Sequence, residues 1–227
     1  MKPDYLYGTS YTLIQGEHMF HFNSDTELLG SFMHVRKSDS VLDIGTNNGA
    51  LLLYAASYGA SSLCGIDLFE EVIDLANENL DSNHLKAELY AVPLQKFTHD
   101  PFDVIVCNPP YFDTKADHLK NPNMYLRAAR HTDFLPLSDL FFHVNQLLKD
   151  NGTFYLVYRP EYLSTLLQTA SLNHLYPERM RIAYASKNKQ AKTILLSFCK
   201  RKDSHLTIER PAFLNDRDSV WMKGEYA

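Results

Sequence analysis

From about residue 40 onward, apolar runs of strand length alternate with amphipathic runs of helix length, a rhythm that predicts repeated βα units. "SVLDIG" reads as a strand entering a turn, "ALLLYAASY" as a helix and "SSLCGID" as a second strand. In "EEVIDLANENL", Val72, Leu75, Ala76 and Leu80 share one face, while Glu70 and Glu71 fall in the first turn, where the helix dipole favours acids. A weaker third strand, "LKAELYAV", precedes a fourth, "FDVIVCN". Next come a helix over "LSDLFFHVNQLLKDNG", closed by Gly152, and a fifth strand, "TFYLVYRP", stopped by Pro160. A helix from about Tyr162 to Ala170 leads to two late strands around "MRIAYA" and "TILLSFC", which flank "SKNKQAK". The pattern predicts an α/β fold: a mostly parallel seven-stranded sheet that ends in an antiparallel hairpin.

Length and composition narrow this only slightly. The chain has 227 residues, 45% of them hydrophobic and 22% charged, enough for one large domain with a sizeable core. Residues 1–39 read as an extension, 40–200 as the core and 201–227 as a tail, with no linker or repeat to mark a second domain. The polar tail offers little core, and Trp221 reads as a residue that tacks it down. Without an apolar stretch of about 18 residues or a signal-peptide core at the N-terminus, a cytoplasmic location is expected. Cys64, Cys107 and Cys199 each sit in a strand-like run, at spacings that suggest neither a metal knuckle nor a redox pair.

Chemistry enters at the strand ends. "VLDIGTNNGALLL" is a strand, then Asp43, Gly45, Thr46, Asn47 and Gly49, then a helix. Glycines at such a junction let the backbone approach a ligand closely, and the acid can bind polar ligand groups or order the loop amides. Asn47 and Asn48 tolerate the left-handed conformations that glycine would otherwise supply. Asp67, with Leu68 beside it, ends the next strand, where a ribose-binding carboxylate belongs in a doubly wound nucleotide fold. Glu70, three residues on, also allows a capping-box role. No lysine or Walker pattern follows the loop, which argues against a phosphate cradle.

The fourth strand stops abruptly in "VIVCNPPYF". Pro109 and Pro110 remove two backbone donors and fix two φ angles, so Asn108 and Tyr111 are held stiffly at the sheet's carboxyl edge. The Asn108 side-chain carbonyl and the Pro109 main-chain carbonyl can accept hydrogen bonds from a planar NH₂ group, and Tyr111 can stack on a flat ring. Such acceptors position an amine nucleophile without a strong base. His131 is available as a base, but the product can lose its proton to water.

"DIGTNNG", "GID" and "NPPY", in this order on this strand pattern, resemble the class I S-adenosylmethionine-dependent methyltransferases that act on amines. The resemblance spans roughly residues 20 to 200 and implies a Rossmann-like fold. With "FHFNSDTELLGSF", "NPPYF" followed by "ARH", "YLVYRPE" and "NKQAKTILLSF", the chain is most similar to the tRNA1(Val) (adenine37-N6)-methyltransferase family. The resemblance implies S-adenosylmethionine as cofactor, S-adenosylhomocysteine as product and N6-methylation of an RNA adenine, tRNA being the expected partner. It also implies that the N-terminal segment covers the methionine end, which brings Asn23, Ser24, Asp25 and Phe22 to the cofactor side, with Asn108 closing the pocket. Two departures stand out. Asn47 occupies a position usually held by glycine, and Pro93, Leu94 and Gln95 stand where many relatives place an acid near the cofactor's adenine.

A formal net charge of −5 argues against binding nucleic acid through a globally basic surface. Locally, Arg179, Arg181, Lys187, Lys189, Lys192, Lys200, Arg201 and Lys202 form a basic stripe. Together with Lys115, Lys120, Arg127 and Arg130 after NPPY it can ring a pocket mouth and meet RNA phosphates, or simply be solvated. His18 and His21 lack the partners of a metal site, and no metal is expected. A protein glutamine amide is the main alternative substrate; release-factor methyltransferases share NPPY but carry an N-terminal helical domain, for which forty residues leave little space. DNA adenine and rRNA guanine N2 are less favoured targets.

Overall fold

Because β-branched and aromatic residues crowd the central runs, those runs form a sheet that is buried on both faces. A computed structural model describes residues 3–16, 22–109 and 135–221. Its central strands are β3 (Ser40–Ile44), β4 (Ser62–Asp67), β5 (Glu88–Ala91), β6 (Phe102–Cys107), β7 (Leu148–Tyr158), β8 (Tyr176–Tyr184) and β9 (Ala191–Cys199). They lie side by side in the order β8-β9-β7-β6-β3-β4-β5, with β9 antiparallel to both neighbours and the others parallel. Two short strands, β10 (Thr207–Ile208) and β11 (Ala212–Phe213), also pair with β8, so the sheet exceeds the expected seven by two strands from the tail. The first two strands, β1 (Asp4–Tyr5) and β2 (Thr12–Leu13), form a separate hairpin.

Alternate residues of each strand feed opposite cores. Leu42, Ile44, Ile105 and Cys107 face α4 (Leu137–Leu147) and α5 (Leu163–Leu172). Val41, Val104 and Val106 face the other layer, with α1 (Ser24–Phe32) and α2 (Ala50–Tyr58). The connection from β4 to β5 is α3 (Glu70–Ser82). All three cysteines are buried and unpaired. No helix among the described residues is long and apolar enough to cross a membrane.

Several boundaries differ from those read in the sequence. α4 stops at Leu147 rather than at Gly152, because Leu148 pairs with Phe102 and the Lys149–Gly152 stretch is drawn into an irregular start of β7. Lys149 Nζ reaches Asp103 Oδ2 at 2.7 Å and holds that start in place. α5 begins at Leu163, after a 3₁₀ turn over Pro160–Tyr162, and the third strand shortens to Glu88–Ala91. The tail also supplies more core than its polar composition suggests. Ala212 and Val220 are buried in the α1/α2 layer, and the short helix α6 (Arg217–Val220) leads into Trp221. The Trp221 ring lies against Tyr7 and Tyr54, and its Nε1 donates to Glu27 Oε1 at 3.0 Å.

Candidate functional site

The sheet order reverses at β3, which pairs with β4 on one side and β6 on the other. Open α/β sheets bind ligands at such a switch point, outside the carboxyl ends of the strands. Because Ile44 lies opposite both Ile66 and Cys107, the residues just beyond them, Gly45, Asp67 and Asn108, emerge together. Strand register therefore assembles three motifs that are far apart in sequence.

The loop after β3 is shaped by backbone geometry. Gly45, Asn47 and Gly49 have φ of 73°, 49° and 79°, which puts all three in the left-handed region. Asn47 thus adopts the conformation its position demands without being glycine. A Cβ placed on Gly45 would meet nothing within 4 Å, so this backbone faces open space. The Gly45 and Thr46 amides both donate to Ile66 O at 2.9 Å. Behind the loop, Asp43 is fully buried; its Oδ2 accepts from Thr46 Oγ1 at 2.9 Å, while Oδ1 has no hydrogen-bond partner among the described residues. Burial pushes this carboxyl up to about 7; the Thr46 hydroxyl opposes the rise and the negative Asp67 adds to it.

Asp67 does not close a capping box. Its Oδ2 accepts from the Asn47 amide at 3.1 Å and its Oδ1 from the Leu68 amide at 2.7 Å, and the N-cap of α3 is Phe69, without a side-chain cap. Burial raises the Asp67 carboxyl, and the amides of Asn47, Leu68 and Phe69 counter that rise. Leu68 is an exposed apolar side chain beside it. Pro93 is half-buried ahead of a 3₁₀ turn, whereas Leu94 belongs to the core.

Across the switch point, Asn108 is half-buried and Pro109 is buried. Asn108 Nδ2 donates to Thr26 Oγ1, 3.1 Å away in the first turn of α1. That turn is itself anchored. Asn23 Oδ1 caps the amides of Asp25 and Thr26, and Ser24 Oγ accepts from Lys192 Nζ at 3.1 Å. The buried Asp25 accepts from Thr193 Oγ1 at 2.9 Å and pairs with Arg159 at 3.5 Å, so its carboxylate ties α1 to the ends of β7 and β9. Asn23, Ser24 and Phe22 line a cleft of about 340 Å³ together with Glu27, Leu28 and tail residues that include Arg217. Pro110, Tyr111, Lys115, Arg127 and Arg130, like Lys120 and His131, lie outside the described residues.

The basic stripe divides. Arg179 and Arg181 both pair with Glu209 and stack on the Phe32 ring at 4.5 and 5.5 Å, so they hold the tail rather than face solvent. Arg201 pairs with Glu178, and Lys200 lies 3.7 Å from Asp150. Lys187, Lys189 and Lys192 are exposed on the β8–β9 connection and the start of β9. Sequence reading also missed Asn79 of α3: its side chain donates to Asn48 O and Ile14 O and accepts from Ile14 N, joining the glycine loop to the N-terminal segment. Its one signal was an amide at a position where the helix pattern calls for an apolar residue.

A family model for ribosomal protein L11 methyltransferase matches residues 27–109, the stretch from α1 to the strand end at Pro109. A protein of Bacteroides thetaiotaomicron named tRNA1(Val) (adenine(37)-N6)-methyltransferase is 33% identical over 77% of this chain and 75% of its own length. A protein of Trichodesmium erythraeum with the same name is 30% identical over 88% of this chain and 87% of its own length. The chain belongs to this family. It is an S-adenosylmethionine-dependent methyltransferase with a Rossmann-like class I fold. Its fold is shared by a methyltransferase from Pyrococcus furiosus, with a TM-score of 0.65 at 15% identity over 86% of this chain and 91% of that one. A ribosomal protein L11 methylase from Lactobacillus delbrueckii aligns with a TM-score of 0.61 at 20% identity over 82% of this chain and 81% of that one.

The site of this methyltransferase suits its cofactor. A buried carboxylate oxygen of Asp43 with no hydrogen-bond partner among the described residues, and a backbone at Gly45 that faces open space, match a ligand that carries cationic and polar groups.

Proposed function

We propose that this methyltransferase modifies N6 of an adenine in RNA, with tRNA as its substrate. The observation that carries the reading is the place of Asn108: a side-chain amide held by Thr26 at the end of β6, next to the Gly45 loop. The names of the relatives support the same reaction. Bound S-adenosylmethionine supplies an electrophilic methyl group on a sulfonium. In this reading the Asn108 carbonyl and the Pro109 main-chain carbonyl accept hydrogen bonds from the target amine, and Tyr111 stacks on its ring. The chain thereby orients the amine's lone pair instead of removing a proton beforehand. Gly45, Thr46, Asn47 and Gly49 would lie along the cofactor, Asp67 would hold its ribose hydroxyls, and Leu68, Pro93 and Leu94 would flank its adenine. Asn23 and Ser24 belong near its methionine end, where Asp25 acts through the α1 anchor.

RNA contact is assigned to the exposed Lys187, Lys189 and Lys192, with Lys115, Arg127 and Arg130 joining from the segment after NPPY. Lys192 supports the assignment because its contact with Ser24 puts the hairpin beside the turn of α1 that touches Asn108. Replacing Lys187 and Lys189 together by glutamate should raise KM for RNA and flatten the salt dependence of binding, while the Kd for the cofactor stays unchanged. An unaltered KM in filter-binding and steady-state assays would remove the hairpin from the RNA surface.

Asp43 allows a separate check. Its folded value of about 7 stands above the unfolded 3.8, so its stabilising contribution is complete below about pH 4 and is lost as pH rises through about 7. A cationic group placed beside it reverses the shift. Cofactor binding near pH 6.5 should therefore release a proton, seen in calorimetry as an enthalpy that varies with the buffer's ionisation heat. Asp43→Asn should bind at least about 10-fold more weakly and show no buffer dependence. A wild-type enthalpy that is the same in all buffers would contradict this placement.

The substrate class is tested by offering labelled S-adenosylmethionine with unmodified tRNA, rRNA and release-factor fractions. Label in tRNA is the expected result. Label confined to a protein glutamine would replace the RNA reading with the amide one.

A further inference from the structure

We propose that Thr26 is a positioning residue for the methyl-transfer step, fixing the amide of Asn108 through the hydrogen bond from Nδ2 to its Oγ1. The inference rests on the reading of Asn108 as the acceptor for the substrate amine. A primary amide has a donor end and an acceptor end, and only the acceptor end can receive an N–H from the target. With the amide turned the wrong way, two donors face each other. When the carbonyl points toward the target, the NH₂ group points the other way and needs an acceptor there. Thr26 Oγ1 supplies one at 3.1 Å; a hydroxyl can also donate, so Thr26 fixes the place and plane of the amide, and the target's own N–H selects the carbonyl-forward orientation.

The surroundings make Thr26 a fixed point. It is 7% exposed and sits in the first turn of a nine-residue helix. Asn23 Oδ1 caps its amide at 3.3 Å, and its neighbour Asp25 is held by Thr193 and Arg159 from the far strands. On the other side, Pro109 has no amide hydrogen and a restricted φ, so the backbone beyond Asn108 has little freedom to compensate. The hydroxyl is thus the link between a clamped helix end and the strand end that carries the chemistry. Thr26 lies within "FHFNSDTELLGSF", but nothing in that segment announces its link to Asn108, 82 positions away.

Thr26→Val keeps the shape and removes the acceptor. Its kcat should fall about 10-fold or more, the worth of one hydrogen bond in a water-poor site, while the cofactor Kd stays within about 2-fold. Thr26→Ser should restore most of the rate, and Thr26→Ala reads the same loss should the valine variant fail to fold. In an Asn108→Ala background, Thr26→Val should add little, because the two act as one unit. Wild-type kcat in Thr26→Val beside an inactive Asn108→Ala would overturn the role of Thr26 alone. Full activity of Asn108→Ala would instead overturn the reading of the site on which it rests. Equal losses in Thr26→Val and Thr26→Ser would also reject the positioning role, because the serine variant keeps the hydroxyl.

Discussion

Asn108→Ala is expected to lower kcat for methyl transfer by about 10³-fold, as loss of a preorganised hydrogen-bond partner at a reacting atom does, while cofactor affinity changes by less than about 5-fold. The asymmetry follows from where Asn108 sits. Its side chain meets Thr26 across the end of β6, whereas the loop set by Gly45, Asn47 and Gly49 is stitched to β4 through Ile66 O and Asp67, independently of Asn108. Alanine leaves the two prolines in place, so the strand end keeps its course and only the amide is lost. Single-turnover rates and equilibrium cofactor binding, measured side by side, separate the two effects. A parallel collapse of cofactor binding would mean that Asn108 shapes the pocket as a whole.

The second large effect concerns stability. Glu209 accepts from Arg179 Nε at 2.6 Å and from Arg181 Nε at 2.8 Å, two guanidinium groups on the same face of β8. Arg181 is 6% exposed and also donates to Val220 O at 3.3 Å, and Arg179 donates to Phe32 O at 3.4 Å. Glu209→Ala would leave both positive charges without their counter-ion in a largely dry site. Breaking a buried pair in this way costs about 3 to 5 kcal/mol. The expected result is a large drop in Tm and earlier proteolysis of the tail from residue 205 onward. Arg181→Met together with Glu209→Gln should do less harm, because fewer buried charges are left unmatched. A Glu209→Ala protein with an unchanged Tm would show that the cluster is solvated and the tail held by Trp221 and Val220.

The strands and the three strand-end motifs were legible because local signals and tertiary environment agree there. Strands buried on both faces need near-continuous apolar runs, as in "SVLDI" and "FDVIVC", and their ends carry the residues that cannot continue a strand. Legibility failed where pairing overrides local preference: Lys149–Gly152 reads as a helix end, but pairing with β6 draws it into β7. It failed again where a side chain's meaning depends on a distant partner. Thr193 and Asp25 are 168 positions apart, Asn79 and Ile14 are 65 apart, and Arg181 and Glu209 are 28 apart. No spacing rule joins such pairs, so the charges at Arg179 and Arg181 read as surface, whereas Arg181 is buried and Arg179 half-buried against Glu209. At the site itself, the glycine loop, Asp67 and Asn108 were visible as motifs, whereas Thr26 lay inside the segment "FHFNSDTELLGSF" with nothing to single it out from its neighbours as the partner of Asn108.

The central claim is that the strand end at Asn108 receives the N6 amine of an adenine. Its most direct test is to methylate unmodified tRNA with the purified protein and labelled S-adenosylmethionine, digest the product to nucleosides and identify the labelled one by mass spectrometry. N6-methyladenosine, absent with Asn108→Ala, is the predicted result. Label in any other nucleoside, or equal amounts of N6-methyladenosine from both proteins, would contradict it.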